Sequence, residues 1–567
     1  MTISMMDRMT EEQQFLINQA MEHMDAYYDE SMSMLRNCED GDLERHSTRG
    51  SAHYAVGLLI RRQSGDLERA CKVLAKVMDM QFDCPEEIYH GTFRTSPQAE
   101  NPPAGNYPWK SFAPGFAYFL SDTVGKITAQ FMQQLEREMP HMTIADRREA
   151  GRALEAAADQ VLPPVWKSYD PNWREFIACA FAVILEHFEA ELPKELVARM
   201  DESMGKAVQG SIDRRLSDAI PMNTNIELMH IFVSHYFGCR LHNEEWIKHA
   251  DREADAFLQA YKEFGTFAEF NSSTYYGVDL TVLGLIRTYG RSETVKRAMR
   301  EVEQGLWENI ALFYNANLEN LCGPFSRAYE MEMRAHSSIG VFIYLALGRG
   351  CEHLAGINCE SGHDPLIALV GVDVPETVKP ALAAFQEGRY VEKQFRELCE
   401  RDKPGSNSNL CTAAAWIESK RMLGAMSGSR NTNGQLHPAT IHWMTDDGAK
   451  YYLRLIRREA GGNWNSHLRG IVFDGKVAKD CLSVDVDLST EQDIDVYFEI
   501  TGPGSNGSQV LILPDEWRLP GLTCSVTADA PRPVITATDD RIEIVYPYRP
   551  VQGTAGSRMS FKLELLS

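Results

Sequence analysis

The spacing of hydrophobic residues changes once along the chain, and this change constrains the fold more than any other feature. From the N-terminus to about residue 348, apolar residues recur mostly at helical spacing, as in SAHYAVGLLIRRQ and WREFIACAFAVILEHFEAEL. Gly, Asp or Pro separates paired runs, which predicts helical hairpins in series. After about residue 410, short alternating runs such as CLSVDVDLS and RIEIVYPYR are separated by turn residues. Such runs are typical of an antiparallel β-sandwich.

The sequence therefore predicts a mostly α protein with an all-β C-terminal domain. We expect residues 1–400 to form an α/α toroid of helical hairpins around a central catalytic cleft, and residues 401–567 to form an antiparallel β-sandwich against one rim. A chain of 567 residues exceeds the size of one hydrophobic core. A last helix is expected from Glu376 to Arg401, and no sheet is expected within the first 340 residues.

Charge and composition favour some protein classes over others. A net charge of -23 argues against a nucleic-acid binder that uses a broad basic surface. No stretch of 18 or more residues stays apolar, so no membrane-spanning helix is expected. The missing export signal and twelve scattered Cys without CxxC pairs predict free thiols and a cytoplasmic location. Without HExxH, CxxC or a phosphate-binding glycine loop, we expect neither a metal nor a cofactor. The sequence leaves open whether the protein forms a homo-oligomer.

The stretch GTFAEFNSSTYYGVDL concentrates hydrogen-bonding side chains at a predicted helix entrance near Ser272. Asn271 and Tyr275 are spaced to share one helical face, and Glu269 precedes them. A capped helix with tyrosines at a core edge is the structural interpretation. Tyr275 and Tyr276 would point about 100° apart, so only one can face a cleft squarely.

A second polar segment is NLCGPFSRAYEMEMRAHSSIG. Tyr329, Glu332 and His336 follow i, i+3, i+7 spacing, while Arg327 and Arg334 belong to the adjoining face. Such a helix can be a solvated surface with internal ion pairs. Because the flanking segments are strongly apolar, the charged groups are more readily explained beside a core or a cleft, where they need partners or a ligand.

Two further groups are candidates for substrate binding. In IPMNTNIELMH, Asn223 and Asn225 lie at a helix start, where Asn223 suits a cap. Trp109 and Trp173 lie in aromatic and basic stretches that would suit stacking on sugar rings. Turn and core roles for these residues are equally open.

The predicted toroid and sandwich together resemble the heparinase II/III-type and alginate-lyase-type polysaccharide lyases. Gly265, Glu269, Tyr275, Tyr276 and Gly277 match a segment of that family. The resemblance implies that a Tyr acts as proton donor or base, that a His assists, and that Asn with Arg neutralises a uronate carboxylate. The family often shows an Asn-His tandem, which this chain lacks.

Carried over by residue, the resemblance makes Tyr275 or Tyr276 the catalytic phenol. It implies that Tyr276 is the one that faces the cleft, because this residue directly precedes Gly277, as in the family's segment. Arg327, Tyr329 and His336 join them as catalytic candidates by residue type and context. These groups suit β-elimination, in which the charge of the uronate carboxylate is neutralised while a basic phenolate or imidazole takes the neighbouring proton. The remaining candidates are expected to bind the substrate, namely Asn223, Asn225, Asn271, Glu269, Glu332, Arg334, Trp109 and Trp173.

The predicted function is thus a lyase that cleaves uronate-containing oligosaccharides by β-elimination. A glycoside hydrolase on the same scaffold is an alternative, and it would need two carboxyl groups about 5 to 10 Å apart. Glu269, Glu330, Glu332 and Asp279 are the available carboxyls. A dehydratase or isomerase of a small hydroxylated molecule and a non-catalytic carbohydrate-binding protein are further alternatives, since fold alone does not fix function.

Overall fold

The protein is described by a computed structural model that covers most of the chain. It describes residues 5–566, except 40, 86, 88, 103–113, 162–168, 217–222, 399–407, 432–433, 463, 465–467, 469, 491, 505–509, 539–540 and 551–555. Trp109, one of the predicted sugar-stacking residues, lies outside the described residues.

The N-terminal part is built from α-helices. They are α1 (Glu11–Ala26), α2 (Thr48–Arg61), α3 (Asp66–Asp79), α4 (Pro114–Glu138), α5 (Ile144–Val161), α6 (Trp173–Phe188), α7 (Lys194–Leu216), α8 (Thr224–Arg240), α9 (Glu244–Phe264), α10 (Tyr275–Tyr289), α11 (Glu293–Phe313), α12 (Ile339–Leu347), α13 (Asp364–Val370) and α14 (Lys379–Ala383).

Consecutive helices pack as hairpins, and one member of each hairpin lines an inner ring. The pairs α2–α3, α6–α7, α8–α9 and α10–α11 are in contact. In the ring, α2 contacts α6, α6 contacts α8, α8 contacts α10, α10 contacts α13, and α13 returns to α2. This closure forms the α/α toroid that the sequence predicts.

Position in the ring explains the burial of each helix. The outer helix α3 buries Ala70, Val73, Leu74 and Val77, which form a single apolar stripe. The inner helix α6, in contrast, is buried from Arg174 through Leu185 without a break. An inner helix has neighbours on most sides, so it is apolar around nearly its whole circumference.

The C-terminal part is all β. Its strands are β6 (Arg389–Leu398), β7 (Ser408–Ile417), β8 (Arg421–Ser427), β9 (Ala439–Met444), β10 (Lys450–Glu459), β11 (Ile471–Ala478), β12 (Cys481–Leu488), β13 (Ile494–Thr501), β14 (Leu511–Ile512), β15 (Glu516–Leu519), β16 (Leu522–Asp529), β17 (Val534–Ala537), β18 (Arg541–Tyr548) and β19 (Ser557–Leu566).

These strands form two antiparallel sheets. The eight-stranded sheet has the order β17-β18-β13-β10-β9-β8-β7-β6, and the six-stranded sheet has the order β11-β12-β19-β16-β15-β14. Strand β11 packs on β7 and β8, and β12 packs on β8, so the sheets lie face to face. The predicted fold class, a helical toroid followed by an antiparallel β-sandwich, is confirmed.

Our expectation of no sheet within the first 340 residues is wrong. Strands β1 (Tyr28–Asp29), β2 (Met34–Asn37) and β3 (Asp42–Ser47) form a three-stranded antiparallel sheet between α1 and α2. Strands β4 (Tyr314–Asn315) and β5 (Asn320–Leu321) form a two-stranded one. Strands this short contain too few residues for alternation to be detected.

The prediction of a helix from Glu376 to Arg401 is also wrong. A short helix ends at Ala383, and Arg389–Leu398 is the edge strand β6, which lies before the expected domain boundary. Val391 and Phe395 are the buried apolar residues of this strand. Because they are four residues apart, their spacing fits a helix and a strand equally well.

The segment of residues 322–338, here called the site loop, is not the helix that its polar spacing predicted. Between β5 and α12 its backbone is irregular. Its N–H groups bind outside the segment: Ser326 donates to Phe270 at 3.1 Å, and Ala328 donates to Gln435 at 2.9 Å. A loop whose donors are taken by a neighbouring loop and by the β-domain has no need of helical hydrogen bonds.

Within the described ranges, no helix combines the length and apolar character that crossing a membrane requires.

Candidate active site

The two adjacent tyrosines at the start of α10 face different surroundings. The hydroxyl of Ser272 accepts the N–H of Tyr275 at 2.9 Å. Tyr276 is 1% exposed and lies in the hydrophobic core, where its hydroxyl accepts the N–H of Asn271 at 2.6 Å. Tyr275 is half-buried and faces the site loop. Our expectation that Tyr276 faces the cleft is therefore wrong, because the core side of α10 takes the Tyr276 ring and leaves Tyr275 toward the site loop.

The hydroxyl and amide groups before α10 hold the site loop. Ser272 and Ser273 donate to the carbonyl oxygens of Arg327 and Glu330, at 2.6 and 2.8 Å. The side-chain amide of Asn271 donates to a third loop carbonyl at 2.6 Å. Asn271 itself has a left-handed backbone with φ of 54°, so it lies outside the helix rather than on one face with Tyr275. Its structural role is to fix the site loop.

Arg327, on the site loop, is the hub of the polar contacts. Its guanidinium carbon lies 4.5 Å from the centroid of the Tyr275 ring, and Nη2 donates to the Tyr275 hydroxyl at 3.2 Å. Nη1 donates to Glu269 at 2.7 Å and also to Asn223, while Nε donates to Gln435 at 2.6 Å. Burial disfavours the charge, but Tyr275 and Glu269 keep the pKa of Arg327 above its ordinary value.

Glu269 ties the site loop to the start of α8. Its side chain is 4% exposed, and besides Arg327 it accepts the N–H of Thr224 at 2.6 Å. Burial raises the pKa of the Glu269 carboxyl, and Arg327 offsets part of that rise. Asn223 occupies the N-cap position of α8 but makes no side-chain cap, because its oxygen is turned toward Arg327.

The hydroxyls of Tyr275 and Tyr329 are in direct contact. Tyr275 donates to the Tyr329 oxygen at 3.0 Å, and the ring centroids lie 5.9 Å apart. The N–H of Tyr329 donates to Thr274 at 3.0 Å, which fixes its position. Burial raises the pKa of Tyr275 well above its ordinary value, so this phenol stays protonated. A protonated Tyr275 therefore remains the donor in this contact, and the Tyr329 oxygen remains the acceptor.

His336 is the last member of this contact series and lies against the ring of Tyr329. Its ring centroid lies 5.2 Å from that of Tyr329. The thiol of Cys359 and the carboxylate of Glu360 raise the pKa of His336 to about 10. Nδ1 of His336 lies 4.0 Å from Glu360, which also holds Nδ1 of His363 at 3.1 Å. The raised pKa and the nearby carboxylate favour the cationic form of the His336 imidazole.

Sequence reasoning missed Glu360 and His363. Burial opposes ionisation of Glu360, yet the imidazoles of His336 and His363 lower the pKa of this carboxyl far below its ordinary range. His363 in turn lies edge-on against the ring of His53, with centroids 4.6 Å apart. The available signal was the polar stretch CESGHDP between two apolar helical segments.

Some predicted binding residues lie in other surroundings. Glu332 accepts the N–H of Arg334, its neighbour on the site loop, at 2.8 Å. Arg334 is exposed and pairs with Glu319 at 2.9 Å. Asn225 is buried near the start of α8, where its backbone binds Glu269. The structure gives Glu332 and Arg334 local partners, whereas Asn225 supports the Glu269 carboxyl through its backbone.

Trp173 lies beside a cationic side chain at the start of α6. The guanidinium carbon of Arg49 is 5.4 Å from the centroid of the Trp173 ring, and Arg49 pairs with Glu39 at 2.6 Å. Glu39 also lines a depression that reaches Cys359, the residue beside His336. An aromatic ring and an arginine thus lie on the side of the site where Glu360 is held.

Among solved structures, the chain is similar to several polysaccharide lyases. The chondroitin AC lyase of Streptomyces coelicolor A3, in complex with chondroitin sulphate, is 11% identical; the match covers 98% of this chain and 79% of that chain, with a TM-score of 0.44. A heparinase III is 9% identical, with coverages of 98% and 84% and a TM-score of 0.31. The heparan sulfate lyase of Pedobacter heparinus is 9% identical, with coverages of 92% and 93% and a TM-score of 0.25.

Sequence comparison places the chain in a family. No curated protein matches it. A family model described as a domain of unknown function, DUF8769, matches residues 14–153 and 150–361, which is more than half of the chain and includes Tyr275, Arg327, Tyr329 and His336. The chain therefore belongs to the DUF8769 family.

Proposed function

We propose that the protein is a carbohydrate lyase that cleaves uronate-containing oligosaccharides by β-elimination. The observation that carries this proposal is the unbroken contact series Arg327, Tyr275, Tyr329 and His336, here called the phenol–imidazole cluster. It sets a phenol whose oxygen accepts a hydrogen bond beside a cationic imidazole. Proton abstraction next to a carboxylate needs these two kinds of group.

Tyr329 is the proposed proton-transfer residue. As phenolate it takes the proton from the carbon beside the uronate carboxylate, a carbon–carbon double bond forms, and the carbon–oxygen bond to the leaving sugar breaks. The phenol then returns the proton to the leaving oxygen. The hydroxyl of Tyr275, 3.0 Å from the Tyr329 oxygen, stabilises the phenolate by donating a hydrogen bond.

His336 is the proposed partner of the uronate carboxylate. Negative charge accumulates on that carboxylate when the neighbouring proton leaves, and a fixed cation stabilises it. Cys359 and Glu360 raise the pKa of His336 to about 10, which supplies the cation at neutral pH. Arg327 is a positioning residue in this proposal, since its donors bind Glu269, Asn223 and Gln435 as well as Tyr275.

The carboxyl groups around the cluster favour elimination over hydrolysis. A glycoside hydrolase needs one carboxylic acid and one carboxylate facing the sugar. Glu269 is held by Arg327 at 2.7 Å, and Glu360 lies between the imidazoles of His336 and His363. Each of these carboxylates is thus paired with basic side chains of the protein itself.

A cytoplasmic location remains part of the proposal. The cysteines in the described part of the chain are free thiols, which fits a reducing compartment. An enzyme there would act on imported oligosaccharides rather than on long polymers.

The test is to incubate the protein with uronate oligosaccharides and follow the ultraviolet absorbance of an unsaturated uronate product. We expect absorbance to rise with uronate substrates and to stay flat with neutral oligosaccharides of equal length. New reducing ends without absorbance would indicate a hydrolase, and binding without turnover would indicate a carbohydrate-binding protein. Loss of water from a small hydroxy acid without chain cleavage would indicate a dehydratase.

A further inference from the structure

A second cluster of metal-ligating side chains lies between α8 and α9. His230 of α8, His249 of α9 and Glu253 of α9 each present one ligand atom, and these atoms lie within 4.8 Å of one another. Nε2 of His230 is 2.8 Å from Nε2 of His249. Both imidazoles are buried, at 3% and 4% exposure. Two buried ring nitrogens that converge on one point need either a shared proton or an ion.

The surroundings of His230 fix its tautomer. Ser211 of α7 donates its hydroxyl proton to Glu175 of α6, so its oxygen must accept from Nδ1–H of His230, 2.8 Å away. With the proton on Nδ1, the lone pair of Nε2 points toward His249. Metal-binding histidines commonly donate their other N–H to a carboxylate, and this fixes the orientation of the ring. Here the Ser211 hydroxyl lies between the His230 N–H and the Glu175 carboxylate.

Glu253 is held in place by an arginine. It follows His249 by one helical turn, so both side chains leave the same face of α9. Arg215 of α7 donates to Oε2 of Glu253 at 2.8 Å and to Glu227 at 2.6 Å. One guanidinium thus fixes the positions of both carboxylates.

We propose that His230, His249 and Glu253 bind a Zn²⁺ ion that joins α8 to α9. Two imidazole nitrogens and one carboxylate oxygen form a donor set that Zn²⁺ uses, with a water as fourth ligand. Nitrogens bound to one tetrahedral Zn²⁺ at about 2.0–2.1 Å lie about 3.3 Å apart, so the imidazole pair opens by about half an ångström. The sequence did not predict this site, because its ligands are spread over two helices without a short motif.

The ion is proposed to stabilise the helical toroid, and this role is independent of the lyase proposal. The ligands differ from the residues of the phenol–imidazole cluster. Helix α8 connects the two sites, since Asn223 at its start binds Arg327 and His230 lies further along it. Loss of the ion is therefore expected to show first in thermal stability.

The test uses the full-length protein, free of affinity tags and stripped with a chelator. Zn²⁺ is titrated in competition with a chromophoric chelator, and thermal melts are recorded with and without Zn²⁺. We expect one tight site per chain, a rise in Tm on adding Zn²⁺, and affinity at least tenfold weaker in His249→Gln and Glu253→Gln, since ligand loss removes a coordination bond. Co²⁺ in the same site should give the visible absorption of tetrahedral coordination.

His242→Asn is the matched control. His242 is an exposed histidine between α8 and α9 with a left-handed backbone, which Asn tolerates, so this variant should bind Zn²⁺ like the wild type. If His249→Gln fails to fold, the half-buried Glu253→Gln decides. Equal Zn²⁺ affinity in wild type and Glu253→Gln, or a Tm that Zn²⁺ leaves unchanged, would overturn the proposal and assign the 2.8 Å contact to an imidazole–imidazole hydrogen bond.

Discussion

The hydroxyls of Tyr275 and Tyr276 have different hydrogen-bond partners although the residues are adjacent. Tyr276 accepts the N–H of Asn271 inside the core, so its oxygen satisfies a backbone donor. Tyr275 lies against Arg327 and donates to Tyr329. Removing the hydroxyl of Tyr276 should therefore affect stability, whereas removing the hydroxyl of Tyr329 should affect the catalytic rate.

We predict that Tyr329→Phe lowers kcat by about 10²- to 10⁴-fold, the contribution typical of a positioned acid or base, and leaves Tm nearly unchanged. Tyr276→Phe is the matched control, because it removes one phenol oxygen from the same region. It should keep turnover and lose about 1 kcal/mol of unfolding free energy, since the Asn271 N–H loses its acceptor. Steady-state kinetics and melts of both variants check this, and full activity in Tyr329→Phe would remove that phenol from the mechanism.

We predict that Glu360→Gln shifts the pH dependence of kcat/KM. The pKa of His336 is raised to about 10 by Cys359 and Glu360, so the cation persists through neutral pH and is lost only as pH rises toward that value. Without the Glu360 charge the pKa of His336 falls, and the alkaline limb of the profile should move to lower pH. Glu332→Gln, whose carboxylate binds its own loop, should leave the limb in place. An unmoved limb in Glu360→Gln would contradict the role given to His336.

At this scale the sequence predicted residue types better than their orientations. Arg327, Tyr329 and His336 were identified from a polar segment between apolar flanks, and the structure brings them into contact. The choice of Tyr276 over Tyr275 was wrong because it depended on the family's segment, in which the tyrosine directly precedes the glycine, and not on which side of α10 is buried. Glu360 was missed because His336, its partner on the site loop, is distant in sequence, so the two come together only in the folded protein.

Helix α10 approaches the start of α12 closely at Gly277. A Cβ at Gly277 would lie 2.7 Å from Oγ of Ser338 and 2.9 Å from the backbone N of Ile339. The backbone there cannot yield without moving the C-terminal end of the site loop. The glycine that follows the tyrosine pair is thus required by packing.

We predict that Gly277→Ala destabilises the protein by about 1–3 kcal/mol, the usual result of overpacking. Gly205→Ala is the matched control in helix α7, where an added Cβ meets only Leu241 at 3.9 Å. That variant should be stabilised by about 0.5–1 kcal/mol, because alanine has the higher helix propensity. Urea denaturation of both proteins gives the two changes, and a neutral Gly277→Ala would show that the contact relaxes freely.

Elements were predictable where periodicity was unambiguous. The helix Asp66–Asp79 and strand Cys481–Leu488 have runs that fit one period only. The strand Arg389–Leu398 was mistaken for a helix because Val391 and Phe395 fit both periods, and its pairing with β7 decided the outcome. The site loop was mistaken for a helix because the partners of its backbone are not visible in the sequence.

The β-sandwich contributes directly to the candidate site. Gln435, from the β-domain, accepts from Nε of Arg327 at 2.6 Å, and Arg454 of β10 donates to the carbonyl of Tyr329 at 3.1 Å. Strand β6 also contacts α9. The geometry of the phenol–imidazole cluster therefore depends on both parts of the molecule.

We predict that Gln435→Ala lowers kcat/KM by about 10- to 100-fold, because a hydrogen bond to a charged group contributes about 1.5–3 kcal/mol and Arg327 would shift without it. Gln492→Ala, an exposed glutamine of the same domain, should behave like the wild type. Kinetics of the two variants on one uronate substrate make the comparison. Equal activity would show that the β-domain only covers the site.

For the whole molecule, one change of periodicity was enough to predict a helical toroid followed by a sandwich. The order in which the inner helices meet, with α13 returning to α2, was not predictable. Ring closure depends on contacts between distant segments, which a local pattern does not record. The small N-terminal sheet was missed for the opposite reason, since its strands are too short to carry a pattern.

The central claim is that the phenol–imidazole cluster performs elimination. Mass spectrometry of the products formed from a uronate oligosaccharide tests it most directly. Elimination adds no water, so we expect product masses that sum to the substrate mass, and no products from Tyr329→Phe. Wild-type product masses that exceed the substrate mass by one water would show that water enters the cleaved bond, and they would contradict the account.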